Sequence, residues 1–123
     1  MIILDSSAVI EILKGTEAGS AVLKNTHEEQ VFHTALTLQE VLLGTPNIEK
    51  VIRYFNSSEI LGFEKHDAIT SVEIERDLTK KGTKINKLDI MIAAMCINRS
   101  AMLVTLDKDF QKIERLRMKL VKS

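Results

Sequence analysis

A chain of 123 residues, 45% hydrophobic and 28% charged, has the size and make-up of one soluble globular unit, residues 1–123, built around one core. A formal net charge of zero argues against a generic polycation that coats nucleic acid. A single cysteine, Cys96, excludes an internal disulfide and suits a reducing compartment.

"MIIL" is a continuous apolar run ahead of a polar cluster, the pattern of a short strand buried on both faces. "SSAVIEILKG" follows as a helix with a serine start and Gly15 as its stop. A second helix spans about Glu17 to Asn25, and "QVFHTA" is a second short strand. "TLQEVLLG" opens a helix closed by Gly44 and Pro46. "IEKVIRYF" is helical, "SEILGF" is a third strand, and residues 64–81 form the longest helix, stopped by Gly82. Asn86 caps a helix running through Arg99, "AMLVT" is a fourth strand, "DKDFQKI" a short helix, and "MKLV" a fifth strand at the edge. Alternating short apolar strands and helices predict an α/β domain, a mainly parallel sheet of four to five strands with helices on both faces. The apolar stretch at 88–97 is too short and interrupted to cross a bilayer. "MIILDSS" lacks the basic start and apolar core of a signal peptide, so the expected location is the cytoplasm, with no membrane partner.

Acidic residues fall at telling places on this scheme. Asp5 ends the first strand, Glu40 lies in the first turn of the helix after the second, and Asp89 lies in the first turn of the penultimate helix. Asp107 is just past the fourth strand, with Asp109 two residues on. In a parallel sheet the strand carboxyl ends form one edge, where such folds bind ligands. Each acid also fits plain helix-start chemistry. Asp5 and Asp107 are ordinary caps, Thr37–Glu40 has capping-box spacing, and Asn86–Asp89 imitates it. Capping does not explain why all four share one edge, nor why Asp89 sits in "INKLDIMIAAMC", where a carboxylate is costly to bury uncompensated. Gathered carboxylates repel, and a bound cation relieves them. An all-oxygen set without histidine or cysteine favours Mg²⁺ or Mn²⁺, one or two ions, and suits phosphodiester hydrolysis.

Charge is unevenly distributed. Residues 1–60 hold 4 basic and 8 acidic side chains, whereas residues 61–123 hold 13 and 9. Lys80, Lys81, Lys84 and Lys87 crowd "KKGTKINK". A solvated helix end explains them equally well, but beside an acidic site Lys84 and Lys87 are candidates for steering a polyanion. His27, His33 and His66 are scattered with no partners at ligand spacing and read as surface or packing residues. Arg99 reads as a stabiliser of its helix end, and Phe110 as core. One tyrosine, Tyr54, and no tryptophan leave little for base stacking.

"MIILDSSAVIEIL", "LTLQEVLLG", "INKLDIMIAAMC" and "MLVTLDKDFQKI" resemble, in order and across almost the whole chain, the motifs of the PIN domain family, and within it the VapC-type toxin ribonucleases. The resemblance implies a three-layer α/β/α fold and a metal-dependent endoribonuclease with Asp5, Glu40, Asp89 and Asp107 as catalytic quartet. Asp5 and Asp89 would be principal metal ligands, Glu40 and Asp107 would complete the site, and Asp109 would assist a second ion. Ser6 and Thr105 match small hydroxyl positions that line such sites. It further implies an RNA substrate such as transfer or ribosomal RNA, a cognate antitoxin protein, and a homodimer with candidate contact helices in residues 7–55. The alternatives are a non-catalytic PIN-like module that binds RNA or protein, and a housekeeping RNA-processing nuclease. A haloacid dehalogenase-like phosphatase needs an aspartate where Ser7 stands, and there is no Gly-rich P-loop.

Overall fold

Ile2, Ile3 and Leu4 are all buried, and this three-residue strand is the centre from which the rest of the sheet is laid down. The computed structural model describes residues 1–122. The elements are β1 (Ile2–Leu4), α1 (Ser6–Lys14), α2 (Glu17–Thr26), β2 (Val31–Thr34), α3 (Ala35–Leu43), α4 (Ile48–Asn56) and β3 (Ile60–Leu61). They continue with α5 (Lys65–Lys80), α6 (Lys87–Asn98), β4 (Met102–Thr105), a 3₁₀ helix at Lys108–Lys112, and β5 (Met118–Leu120). The sheet order is β3-β2-β1-β4-β5, with every pairing parallel. Parallel neighbours need crossovers, and the helices that supply them cover both faces, giving the three layers α/β/α.

Period-two alternation divides the sheet's side chains between two cores. Ile2, Leu4 and Val104 face Ala8, Val9, Val22, Val41, Val51 and Phe55 of α1 to α4. Ile3, Phe32 and Leu103 face Ile74 and Leu78 of α5, Ile92, Ala93 and Cys96 of α6, and Phe110. Cys96 is a fully buried core residue whose thiol is pushed up to about 12 by burial, so it is inert as a nucleophile. Ile90 and Ile92 through Cys96 are all buried, the signature of a helix packed on all sides. Among the described residues no helix is long and apolar enough to cross a membrane.

Helix boundaries follow local chemistry. Gly15 ends α1 in the left-handed region, at φ 69°. At Gly19 a Cβ would stand 2.3 Å from the Glu11 carbonyl oxygen, so α2 approaches α1 backbone to backbone. Asn86 caps α6 by accepting from the Leu88 N–H at 2.8 Å, as its position predicts. The helix carrying Glu40 starts at Ala35, not Thr37, and its cap is Thr34, whose Oγ1 accepts from the Thr37 N–H at 3.0 Å. Glu40 therefore stands in the second turn, and its carboxylate is not part of a capping box.

Two buried polar clusters lock the layers. Asp67, 1% exposed, lies in the first turn of α5 and accepts from Arg99 (3.0 and 3.2 Å), Asn98 Nδ2 (2.9 Å) and the Glu64 N–H (2.8 Å). Arg99 also donates to the Met95 and Gly62 carbonyls. Arg99 thus closes the end of α6, as expected, but its larger role is to tie that end to the start of α5. Burial works against the Asp67 carboxylate, yet the bonds from Arg99, Asn98 and Glu64 hold it below its ordinary value. Breaking a buried pair leaves an unpaired charge, at a cost of roughly 3–5 kcal/mol. Asp67→Ala is therefore expected to lower the free energy of unfolding in urea by about that much, whereas exchanging exposed Lys119 should change it by less than about 0.5 kcal/mol.

His33 is 3% exposed. Its ring nitrogens bond Ser58 Oγ at 2.7 Å and the Tyr54 hydroxyl at 3.0 Å, and its ring meets Tyr54 and Phe55 edge to face. This is a packing role, as the sequence suggests. Burial lowers its pKa from 6.5 to about 4, so the unfolded chain takes up a proton first as pH falls. The stabilisation is complete above pH 6.5 and is lost as pH drops towards 4. The stability gap between the native chain and His33→Phe should narrow by on the order of 1–2 kcal/mol from pH 7 to pH 5. Urea midpoints measured at both pH values check this.

Candidate active site at the carboxyl edge of the sheet

β1 runs out into Asp5, β4 into Asp107 two residues past its end, and β2 into the helix that carries Glu40. Because α6 must run antiparallel to β4 to feed it, the start of α6, with Asp89, lies on the same edge. The four acids are close enough that Asp107, Asp5, Glu40 and Asp109 all act on Asp89 through their charge. The convergence expected from the chain order is therefore present.

Three of the four are held by donors from the protein. Asp5, 3% exposed, accepts from Thr105 Oγ1 at 2.8 Å, from Ser7 Oγ at 2.8 and 3.0 Å, and from the Ala8 N–H at 3.2 Å. It does cap α1, and the cap is one part of a larger arrangement. Burial raises its pKa, the Thr105, Ser7 and Ala8 bonds pull the other way, and the Asp107 charge raises it further. Ser6 Oγ donates to Glu40 Oε1. Asp107 caps the 3₁₀ helix, accepting from the Asp109 N–H at 2.9 Å. Ser6 and Thr105 thus stand where small hydroxyls were expected.

Asp89 is different. Among the described residues it receives no hydrogen bond from a protein donor, and it is not drawn back to Asn86 as a capping box would require. Burial, and then the charges of Asp107, Asp5, Glu40 and Asp109, raise its pKa to about 7. Neither does it, Asp5, Glu40 or Asp107 have a lysine or arginine within salt-bridge distance among the described residues. Asp109 does: Lys112 Nζ is 3.4 Å from its Oδ1. Lys112 therefore offsets part of the Asp109 charge, and Asp109 is the weakest of the four charges acting on Asp89.

Sequence reasoning missed Ser7. Its Oγ spans both Asp5 oxygens, lies 3.3 Å from Thr105 Oγ1, and accepts from the Leu106 N–H at 3.1 Å. Thr105 Oγ1 in turn accepts from the Asp107 N–H at 3.0 Å. Two hydroxyls therefore stitch the exit of β1 to the exit of β4. The signal was the second serine of "DSS", two residues after the acid, the spacing at which a hydroxyl turns back on an aspartate. Lys84 and Lys87 are exposed, on the approach to α6 and at its first residue. Lys87 lies 4.0 Å from Glu75, and of their neighbours Lys81 pairs with Glu114 at 2.7 Å. Lys84 and Lys87 border a groove with Glu75 and Thr79 of α5, and among the described residues neither is within salt-bridge distance of the four carboxylates.

The donor set is carboxylate and hydroxyl oxygen throughout, the preference of a hard divalent cation. Among the described residues no three carboxylates, imidazoles or thiols already stand at one ion's ligand spacing. The fit to a cation rests on the chemistry of the oxygens and on charge that the protein itself leaves uncompensated. Asp89, which has no protein donor among the described residues, keeps both carboxylate oxygens available to a cation.

Comparison with known proteins bears on the fold and the family. The tRNA(fMet)-specific endonuclease VapC of Salmonella typhimurium is 24% identical over 123 residues, covering 94% of this chain and 93% of that protein. A chain of VapBC2 from Rickettsia felis, in a crystal structure bound to a DNA fragment from their promoter, superposes with a TM-score of 0.86 at 22% identity. It covers 99% of this chain and 100% of that one. FitAcB from Neisseria gonorrhoeae gives 0.77 at 25% identity, with 96% of both chains covered. The model of the PIN domain matches residues 2–116, and the chain belongs to the PIN domain family.

Proposed function

We propose that the chain is a metal-dependent endoribonuclease that hydrolyses RNA phosphodiester bonds at Asp5, Glu40, Asp89 and Asp107, and that it is the toxin of a toxin–antitoxin pair. The observation that carries the chemistry is Asp89, half-buried, without protein donors and surrounded by like charge. Membership of the PIN domain family supports nuclease activity, and the name of the Salmonella relative supports RNA, transfer RNA included, as substrate. Similar chains in VapBC assemblies and in a toxin–antitoxin complex from Klebsiella pneumoniae support a cognate antitoxin. A homodimer would draw on the exposed Leu43, Ile48 and Ile52 of α3 and α4, 81%, 55% and 44% exposed, within the helices of residues 7–55.

Asp5 and Asp89 would hold Mg²⁺ or Mn²⁺, with Glu40 and Asp107 completing the ring directly or through water, and Asp109 assisting a second ion. When bound, the metal lowers the pKa of a water and offsets charge on the phosphate. The chain's own part is positional. Thr105 and Ser7 fix Asp5, Ser6 fixes Glu40, and the Asp109 N–H fixes Asp107. A water bound among these oxygens is aimed at the phosphorus, and departure of the 3′ oxygen leaves a 5′-phosphate and a 3′-hydroxyl. Lys84 and Lys87 attract the strand toward a cleft that would otherwise repel it.

Two outcomes test this reading. Purified protein should cut a structured RNA pool with Mg²⁺ or Mn²⁺ and stop with EDTA, while Asp89→Asn, prepared identically, should lose at least a hundredfold in rate and its calorimetric Mn²⁺ binding. A variant that cuts equally well would refute it. Stability gives an independent check. Ionising Asp89 costs the folded state stability as pH rises from its ordinary 3.8 to about 7. In EDTA at pH 7.5, Asp89→Asn should be more stable than the native chain by on the order of 1–2 kcal/mol, with the difference fading by pH 4. Added Mn²⁺ should raise the melting temperature of the native chain alone.

A further inference from the structure

An open groove of about 830 Å³ lies beside the carboxylates and runs away from them towards the β5 edge. Ser7 and Asp107 line its near end, the first hydrogen-bonded to Asp5 and the second one of the four acids. Ile10, Ala18, Leu106, Leu120 and Val121 form an apolar floor, and Lys108 and Lys122 stand on its rim. Both lysines are exposed, and among the described residues neither is within salt-bridge distance of a carboxylate. That separates them from Lys81, Lys87 and Lys112, each of which has an acidic neighbour. Two acids also line the groove, Asp107 at its near end and Glu11, which lies 4.0 Å from Lys14.

A strand cut at an internal phosphate must continue on both sides of the reacting bond. Lys84 and Lys87 lie where α6 begins, in the helix layer of α5 and α6. The groove lies across the sheet edge from them, under α1 and α2. We infer that this groove carries the single-stranded RNA segment on one side of the scissile phosphate, with Lys108 and Lys122 on backbone phosphates and a base against the Ile10–Leu106–Leu120 floor. The inference rests on the ribonuclease reading for its substrate class. Its volume falls within the roughly 300–1,000 Å³ typical of ligand pockets. Two cations at the rim, without a carboxylate partner among the described residues, fit a polyanion, and the apolar floor, which has no aromatic ring in its lining, takes a base by contact alone.

The test is a titration of the native protein with a ten-nucleotide single-stranded RNA of mixed sequence, followed by amide NMR in EDTA so that nothing is cut. The amides of Leu106, Lys108, Leu120, Val121 and Lys122 should shift. Lys108→Glu with Lys122→Glu should weaken binding at least tenfold. Lys108→Gln with Lys122→Gln should lower the salt slope of log K by about 1.4, two contacts at about 0.7 each for single strands. Mn²⁺ affinity should stay within twofold, which also reports that the variants are folded. Binding within twofold of native after charge reversal, shifts confined to the Lys80–Lys87 side, no RNA binding, or a groove that answers only to a protein partner would each overturn the inference. The two readings fail separately. RNA seated in the groove without metal-dependent cleavage removes the ribonuclease and keeps the groove, whereas cleavage untouched by the charge reversals does the opposite.

Discussion

Asp89 carries the largest electrostatic burden among the site's acids. Burial disfavours its charge, Asp107, Asp5, Glu40 and Asp109 disfavour it further, and no protein donor or cation offsets them among the described residues. A chain selected for stability alone would place an asparagine or an alanine there, since helix α6 already has its cap in Asn86. The surrounding structure is arranged so that this cost can be carried. Three neighbouring carboxylates are each oriented by a hydroxyl or a backbone N–H, whereas Asp89 has no such donor among the described residues.

That arrangement depends on α6 staying where it is. Ile90 and Ile92 through Cys96 are buried on every side, and the far end of the helix is fastened to α5 by the Asp67–Arg99 pair. At the near end, Ser7 and Thr105 bind the exits of β1 and β4 to one another through Asp5. The repulsion at the edge is thus borne by a scaffold stabilised at points distant from it, the usual division between a costly site and its support.

Much of this was legible in the sequence, for reasons that can be named. Apolar runs of three or four residues between helical periods identify buried parallel strands, and parallel strands oblige their following turns to share an edge. Asp5, Asp89 and Asp107 could therefore be brought together from their positions alone, and Glu40 with them despite a helix start misplaced by two residues. Thr34 competed with Thr37 for the cap and won because β2 ends at it, a tertiary fact that the local spacing does not contain. Asp67 was invisible for a similar reason. Nothing near it in the chain reveals that Arg99, 32 residues away, would be its partner. Ser7 was in plain view but stood in a run of two serines, and only the strand exit of β4 distinguishes their roles.

The carboxylate of Asp89 is predicted to receive a cation together with that of Asp5. Anomalous diffraction from crystals grown with Mn²⁺ would decide this most directly. A peak at bonding distance from both the Asp89 and Asp5 carboxylates, lost in Asp89→Asn crystals of the same form, is the predicted result. Ordered density for all four acids with no peak among them, or a peak elsewhere on the surface, would contradict it and leave the acids as helix caps and stability costs without a metal.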